Sequence, residues 1–376
     1  MAKIRNMTIS NLLGRSGTTR IKFEAGTNII YGRNGKGKTT ILDLVASSFS
    51  NDTQHIKEVE FSECRVRIDA PEYRTELTKS ISRKVIYSSA AEDIDFYSQF
   101  PEMDFDYLGE HDDLVDENLF IWKNLDSSSS SLPLDVTYLR IDRLHKFEKT
   151  ISGDESETFG KNIKNLWTIY NNRLLSQIQE KQEGFIVDLI VGDGPPSYMS
   201  EHQRRHGYLQ LMRFVSDRPK FKLRDFEISY EEFSRRYADE PGFKRIVDEI
   251  SGLQEFSDNI NQPRNALQNI LSDLLSEEIS VRYFRNNIHF YSQSNKRIYL
   301  DRLSSGEKHV LFILINIANA GNGLVIIDEP ELSMHVSWQN KLLDAMTSIN
   351  PEAQIVMATH SPEIVSSNKN TNFIKI

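Results

Sequence analysis

Gly32-Arg-Asn-Gly-Lys-Gly-Lys38-Thr39 is the stretch on which the fold turns. It fits the pattern G-x-x-x-x-G-K-[ST] of a phosphate-binding loop. Glycines let the backbone turn tightly enough for consecutive N–H groups to surround a phosphate. Lys38 supplies a point charge for a β- or γ-phosphate, and the Thr39 hydroxyl is a ligand for Mg²⁺. Four fixed positions arise by chance in roughly one chain of this length in a hundred. The surroundings sharpen the reading. Asn28-Ile-Ile-Tyr31 is a short apolar strand, and Thr39 to Phe49 carries Ile41, Leu42, Leu44 and Val45 at helical spacing. A helix N-terminus is thereby aimed at the anion.

Outward from this loop, three further stretches carry chemistry. Leu324-Val-Ile-Ile-Asp328-Glu329-Pro330 reads as a buried parallel strand that delivers two carboxylates to its C-terminal edge. There Asp328 can hold Mg²⁺ and Glu329 can polarise an attacking water. Leu303-Ser304-Ser305-Gly306-Glu307 opens an apolar helix over Val310–Ile317, and by itself reads as an N-cap. Ile355-Val-Met-Ala-Thr359-His360-Ser-Pro is an apolar strand ending in a polar pair.

The remaining pattern alternates. Strands are expected at 4–10, 19–24, 63–68, 84–87, 136–141, 280–284, 288–291, 324–327 and 354–358, with helices at 306–319 and 336–348. From about 158 to 275 the pattern is mainly helical, without sustained heptads. Alternating β and α elements at both ends predict an α/β fold with a mostly parallel sheet, interrupted by a mainly helical insertion. The expected domains are 1–150 for one half of the head, 151–278 for the insertion, and 279–376 for the other half.

The chain has 376 residues and a formal net charge of −9. Residues 91–120 hold eleven acidic side chains and no Lys or Arg, so the rest of the chain carries +2. Acidity alone therefore does not argue against nucleic acid. Cys64 is the only cysteine, which excludes an internal disulfide and a Cys-ligated zinc. No stretch approaches the roughly 18 to 20 apolar residues that span a bilayer, and the start lacks a signal-peptide pattern. The expectation is a cytoplasmic protein with no membrane partner.

In order, these pieces resemble the ABC-type ATPase superfamily. Gly32–Thr39 looks like its Walker A, Leu303–Glu307 its signature, Leu324–Glu329 its Walker B, Glu331–His335 its D-loop and His360 its switch histidine. The tail DEPELSMH … ATHSPEIV is most similar to the AAA-type group allied to the OLD family. That group includes OLD-type nucleases, RecF-like proteins and the ATPase subunits of anti-phage systems such as Septu, PARIS and Gabija. The resemblance implies a P-loop ATPase head whose mostly parallel sheet is joined by an N-terminal antiparallel lobe, ATP and Mg as cofactors, and slow ATP hydrolysis in a homodimer or a larger even-numbered assembly. It implies nucleotide contacts from Gly32, Arg33, Asn34, Gly35, Lys36, Gly37, Lys38, Thr39 and Thr40, and Mg²⁺ ligation by Thr39 and Asp328. Glu329 and His360 would be catalytic, and Ser304, Ser305, Gly306 and Glu307 would meet the γ-phosphate of the partner's site. Ser305 stands where the family often has Gly, and no Q-loop glutamine is evident; Gln54 lies early and Gln99 lies in the acidic stretch. Arg140 and Arg143 are candidate phosphate or allosteric contacts, with a surface salt bridge as the competing reading.

The resemblance implies a sensor or regulatory subunit of an anti-phage complex, acting on a separate nuclease or toxin and triggered by a phage protein or DNA. Transporter heads are disfavoured because 271 residues separate Gly32 from Leu303. An OLD-type nuclease would need a Toprim domain after the ATPase, and none is expected in the sixteen residues beyond His360. Two alternatives stand: a RecF-like DNA-repair clamp and a non-enzymatic scaffold assembled by ATP. The clamp finds local support in residues 201–225, where seven Lys or Arg face three acids. Residues 91–120, with acids interleaved among Phe96, Tyr97, Phe100, Phe105 and Tyr107, are either a solvated loop or a docking segment for the effector.

Overall fold

A computed structural model describes residues 2–70, 75–82, 121–125, 134–140, 159–191, 200–216, 228–275, 279–284, 287–366 and 371–376. The acidic stretch 91–120, the serine run 127–131, the expected strand at 84–87, Gln99, Arg143 and part of the basic run lie outside them. The chain forms two compact units, one of residues 1–159 and 301–376, the other of Gly160–Leu300.

The first unit contains two sheets. Strands β1 (Lys3–Ser10), β2 (Thr18–Lys22), β4 (Glu63–Ala70), β5 (Thr75–Ser82) and β6 (Lys123–Asn124) make an antiparallel sheet in the order β2-β1-β4-β5-β6. Strands β3 (Thr27–Tyr31), β7 (Val136–Arg140), β11 (Leu324–Asp328), β12 (Gln354–Thr359) and β13 (Asn372–Lys375) make a parallel sheet in the order β13-β3-β12-β11-β7. The central strands are apolar and buried over nearly their whole length, as covered parallel strands are. Helix α1 (Lys38–Ser50) contributes Ile41, Leu42, Leu44, Val45 and Phe49 to a core shared with Ile4, Met7 and Ile9 of β1, Val66 and Ile68 of β4, and Leu324, Ile326 and Val356 of the parallel sheet.

One buried amide ties the sheets together. Gln354, wholly inaccessible at the start of β12, accepts from the Ile4 N–H at 2.8 Å and donates to Ile4 O at 2.8 Å and Glu24 O at 2.7 Å. Those main-chain groups lie beside the register shift between Ile4 and Asn6, where the β1–β4 ladder is irregular. A buried polar group must find such a partner.

The second unit holds α2 (Phe159–Val191, all but its first residue), α3 (Glu201–Ser216), α4 (Tyr230–Asp239) and α5 (Pro241–Leu274). Leu211, Ile228, Phe233, Tyr237, Val247 and Ile250 form a core of it. Strands β8 (Ile279–Phe284), β9 (Asn287–Ser292) and β10 (Arg297–Ile298) form an antiparallel sheet, and it clusters with these helices. The sequence reading put 279–300 in the head. Among the described residues these strands pair with one another and with no strand of the head. Helices α6 (Ser305–Asn319), α7 (Val336–Ile349) and α8 (Pro362–Ser366) return the chain to the first unit. Strands β5 and β13 were not expected from the sequence. Among the described residues no helix is long and apolar enough to cross a membrane.

Candidate functional site

The register of the parallel sheet brings the motifs together. Thr359 at the end of β12 pairs with Tyr31 at the end of β3, and Asp328 at the end of β11 pairs with Ala358 and Arg140. The residues that follow each strand therefore leave the same edge, the C-terminal edge where α/β sheets place ligands.

The loop after β3 folds as a glycine-dependent turn. Gly35 has φ 71° and Gly37, the N-cap of α1, φ 95°, values that side chains disfavour. The Arg15 guanidinium donates to Gly35 O at 2.9 Å. Arg33, Asn34, Gly35 and Lys36 are exposed, Gly32 follows the strand, and Lys38, Thr39 and Thr40 form the first helical turn. The Lys38 ammonium donates to Gly32 O at 3.1 Å and Arg33 O at 3.3 Å, and lies 3.5 Å from His360 Nδ1. Burial lowers the Lys38 pKa, while the charges of Glu329, Asp328 and Glu331 oppose that shift. A cavity of about 600 Å³ opens beside the loop, lined in part by Gly32, Arg33, Lys36, Thr359 and His360.

The carboxylates face this loop. The Thr39 hydroxyl donates to Asp328 Oδ2 at 2.8 Å, while Asp328 Oδ1 is buried with no hydrogen-bond partner among the described residues. Desolvation pushes the Asp328 carboxyl up to about 6; Glu329 and Asp43 add to this, and the Thr39 bond and Arg140 oppose it. A bare, desolvated carboxylate oxygen beside a hydroxyl is a hard-oxygen donor set, which fits Mg²⁺. Glu329 adopts φ 51°, a strained conformation for a non-glycine residue and one concentrated at functional sites. Its Oε1 lies 3.5 Å from His360 Nε2. Lys38, Thr39, Asp328, Glu329 and His360 thus form one contiguous constellation.

Ser304 through Glu307 open α6. Ser304 is the N-cap of α6 in a full capping box: Glu307 N donates to Ser304 Oγ at 3.3 Å, and Ser304 N to Glu307 Oε2 at 2.7 Å. Among the described residues no hydrogen bond or ion pair joins Ser304–Glu307 to the phosphate loop. Gly306 is required for packing: a Cβ there would stand 2.7 Å from Ser333 O and 3.3 Å from the Trp338 ring.

Arg140 forms a salt bridge, as the competing reading had it, but a largely buried one and not one at the surface. It pairs with Asp43 of α1, which also accepts from the Tyr138 hydroxyl at 2.8 Å. Arg213 of the basic run is held by Asp258 through bonds of 2.7 and 3.0 Å. Gln54 lies in a one-turn helix after α1 with its N–H on Asp52. The sequence reading assigned no role to the Glu331 carboxylate, which receives the His360 and Ser361 N–H groups. Its place at the start of the segment that resembles a D-loop, two residues beyond Glu329, was the signal.

The chain is 22% identical over 383 residues to the Septu protein PtuA of Bacillus thuringiensis, covering 98% of this chain and 74% of that protein. It is 23% identical over 405 residues to the retron Vc95 probable ATPase of Vibrio cholerae serotype O1 biovar El Tor, covering 97% and 72%. Among solved structures, the Smc head domain of Pyrococcus furiosus, determined with an extended coiled coil and bound to the C-terminal domain of ScpA, aligns with a TM-score of 0.46 and 13% identity, covering 99% of this chain and 93% of that one. Residues 2–365 match the family model of the AAA ATPase domain, and the chain belongs to that family.

Proposed function

We propose that this chain binds ATP with Mg²⁺, closes with a second copy around the nucleotide, and hydrolyses it slowly as the regulatory subunit of an anti-phage complex. The observation that carries the ATPase reading is the convergence of Lys38, Thr39, Asp328, Glu329 and His360 on one sheet edge. In this reading the loop N–H groups and the α1 N-terminus receive the β-phosphate, and Lys38 receives the β- and γ-phosphates. Thr39 and Asp328 would hold Mg²⁺, which when bound neutralises charge developing on the phosphate oxygens. Glu329 takes a proton from the attacking water, which displaces ADP and leaves inorganic phosphate. His360, between Glu329 and Lys38, orients the γ-phosphate. Ser304 and the N-terminus of α6 from a second copy close the site, in keeping with the absence of any bond, among the described residues, from Ser304 to the loop of its own chain.

The defence role rests on the relatives. Septu is one of the anti-phage systems whose ATPase subunits the sequence resembles, and PtuA matches along almost the whole chain. The proposed partner is a separate nuclease or toxin, with residues 91–120 as its docking segment. Release of that partner would follow the parting of the two copies after hydrolysis.

Complementation tests the composite site. Lys38→Ala removes nucleotide binding from a copy's own loop, and Ser304→Arg blocks the surface it offers to its partner. Each protein alone is expected to lack ATP turnover, and a mixture of the two to regain it, because a mixed dimer contains one intact site. A mixture as inactive as its components, with dimers present, would refute a site shared between copies.

A further inference from the structure

Glu331 lies in the segment that links β11 to α7, two residues beyond Glu329. Its Oε1 accepts two main-chain N–H groups of the loop after β12, from His360 at 2.5 Å and from Ser361 at 3.1 Å. Its Oε2 is buried and has no hydrogen-bond partner among the described residues, and it forms no ion pair among them. A charged acceptor holding two donors is a strong and directional anchor. Here it grips backbone rather than the imidazole, so it sets where the histidine stands without engaging either ring nitrogen.

The loop that carries Glu331 is itself held from two sides. His309 Nδ1 of α6 lies 2.5 Å from Leu332 O, and Gly306 packs under Ser333. Toward the histidine, Gln339 Nε2 donates to Met334 O at 3.1 Å while Gln339 Oε1 accepts from Ser361 Oγ at 2.7 Å. Ser333 is in the left-handed region at φ 63°. Residues 331–335 therefore sit between α6, which bears Ser304, and the segment that bears His360.

We infer that Glu331 is a positioning residue that fixes His360 against Lys38 and Glu329 through the His360 and Ser361 N–H groups, and so ties the histidine to the 331–335 loop. This rests on the ATPase reading above and adds a means of regulating it. Displacing the loop loosens the two N–H bonds and moves the imidazole away from Lys38 Nζ and Glu329 Oε1, its neighbours at 3.5 Å.

Three variants in the full chain test this. Glu331→Gln keeps the acceptor, and its amide nitrogen replaces the oxygen that bonds nothing. Glu331→Met keeps the length and has no oxygen. His360→Ala removes the group being positioned. Hydrogen exchange at the His360 and Ser361 amides should speed by about 10-fold or more in Glu331→Met. ATP turnover should fall about 10- to 100-fold, as with other orienting partners, with ATP affinity little changed. Glu331→Gln should recover most of both properties. In the His360→Ala background Glu331→Met should cost no further turnover, since the two act as one unit.

Unchanged amide exchange in Glu331→Met overturns the inference. So does a Gln variant as inactive as Met, which would mean that the charge itself acts, or a full additional loss in the His360→Ala background. A wild-type chain that turns over no ATP would instead refute the ATPase reading, and the exchange measurement would still decide on Glu331.

Discussion

At the end of β11, Asp328 holds a charge that the fold itself opposes. Burial raises its carboxyl to about 6 from an ordinary 3.8, so the fold favours the protonated form. The stability gained from that preference is complete below pH 3.8 and is lost as pH rises through about 6. At pH 7.5 the ionised group then costs the fold roughly 3 kcal/mol. Asp328→Asn keeps an acceptor for Thr39 and removes the charge. It should raise the melting temperature of the protein by several degrees at pH 7.5 in Mg²⁺-free buffer, with the gain vanishing near pH 4. A lower melting temperature at pH 7.5 would contradict this account of the site. Stability given up at a cation site in this way is the usual trade between activity and stability.

Elements meet closely where α6 begins. Gly306→Ala places a methyl carbon 2.7 Å from Ser333 O, a backbone atom that cannot yield without moving the 331–335 loop. Overpacking of this kind costs roughly 1–3 kcal/mol. The variant should unfold at lower denaturant concentration and lose ATP turnover by more than its small loss of stability explains; wild-type values in both measurements would count against the loop's role. Ser304 and Gly306 were legible in the sequence as a helix start, but the carbonyl under Gly306 was not, because Ser333 and Trp338 arrive from another element. The phosphate loop, Asp328, Glu329 and His360 were legible since each stands at the end of a strong apolar strand. Strand β5, Thr-Glu-Leu-Thr-Lys-Ser-Ile-Ser, escaped notice because polar residues dominate it. Its Lys79 is wholly buried, with Nζ on Ser48 O at 2.8 Å and Asn51 Oδ1 at 3.1 Å at the C-terminal end of α1, a partnership that only the tertiary fold supplies. Glu331 was hidden for the same reason, its partners lying about 30 residues away in the sequence.

Across the whole molecule, the site is assembled from opposite ends of the chain. The phosphate loop comes from the first 40 residues and the carboxylates from beyond residue 300, joined by parallel pairing of β3 with β12 and by the Gln354 amide on Ile4. Within one chain that edge receives no bond from Ser304, so the central claim is that a second copy supplies it. A cross-link between copies tests this most directly. Cys64 is fully buried, and burial pushes its thiol pKa far above the ordinary value, so the native cysteine is a poor competitor for a maleimide reagent. In a Glu329→Gln background, cysteines introduced at exposed Lys36 of one copy and Ser305 of another would be joined by a short bis-maleimide. With ATP and Mg²⁺ the account predicts a cross-linked band at the mass of two chains, absent without nucleotide and absent when Lys38→Ala is added. ATP bound to the protein with no such band would contradict it.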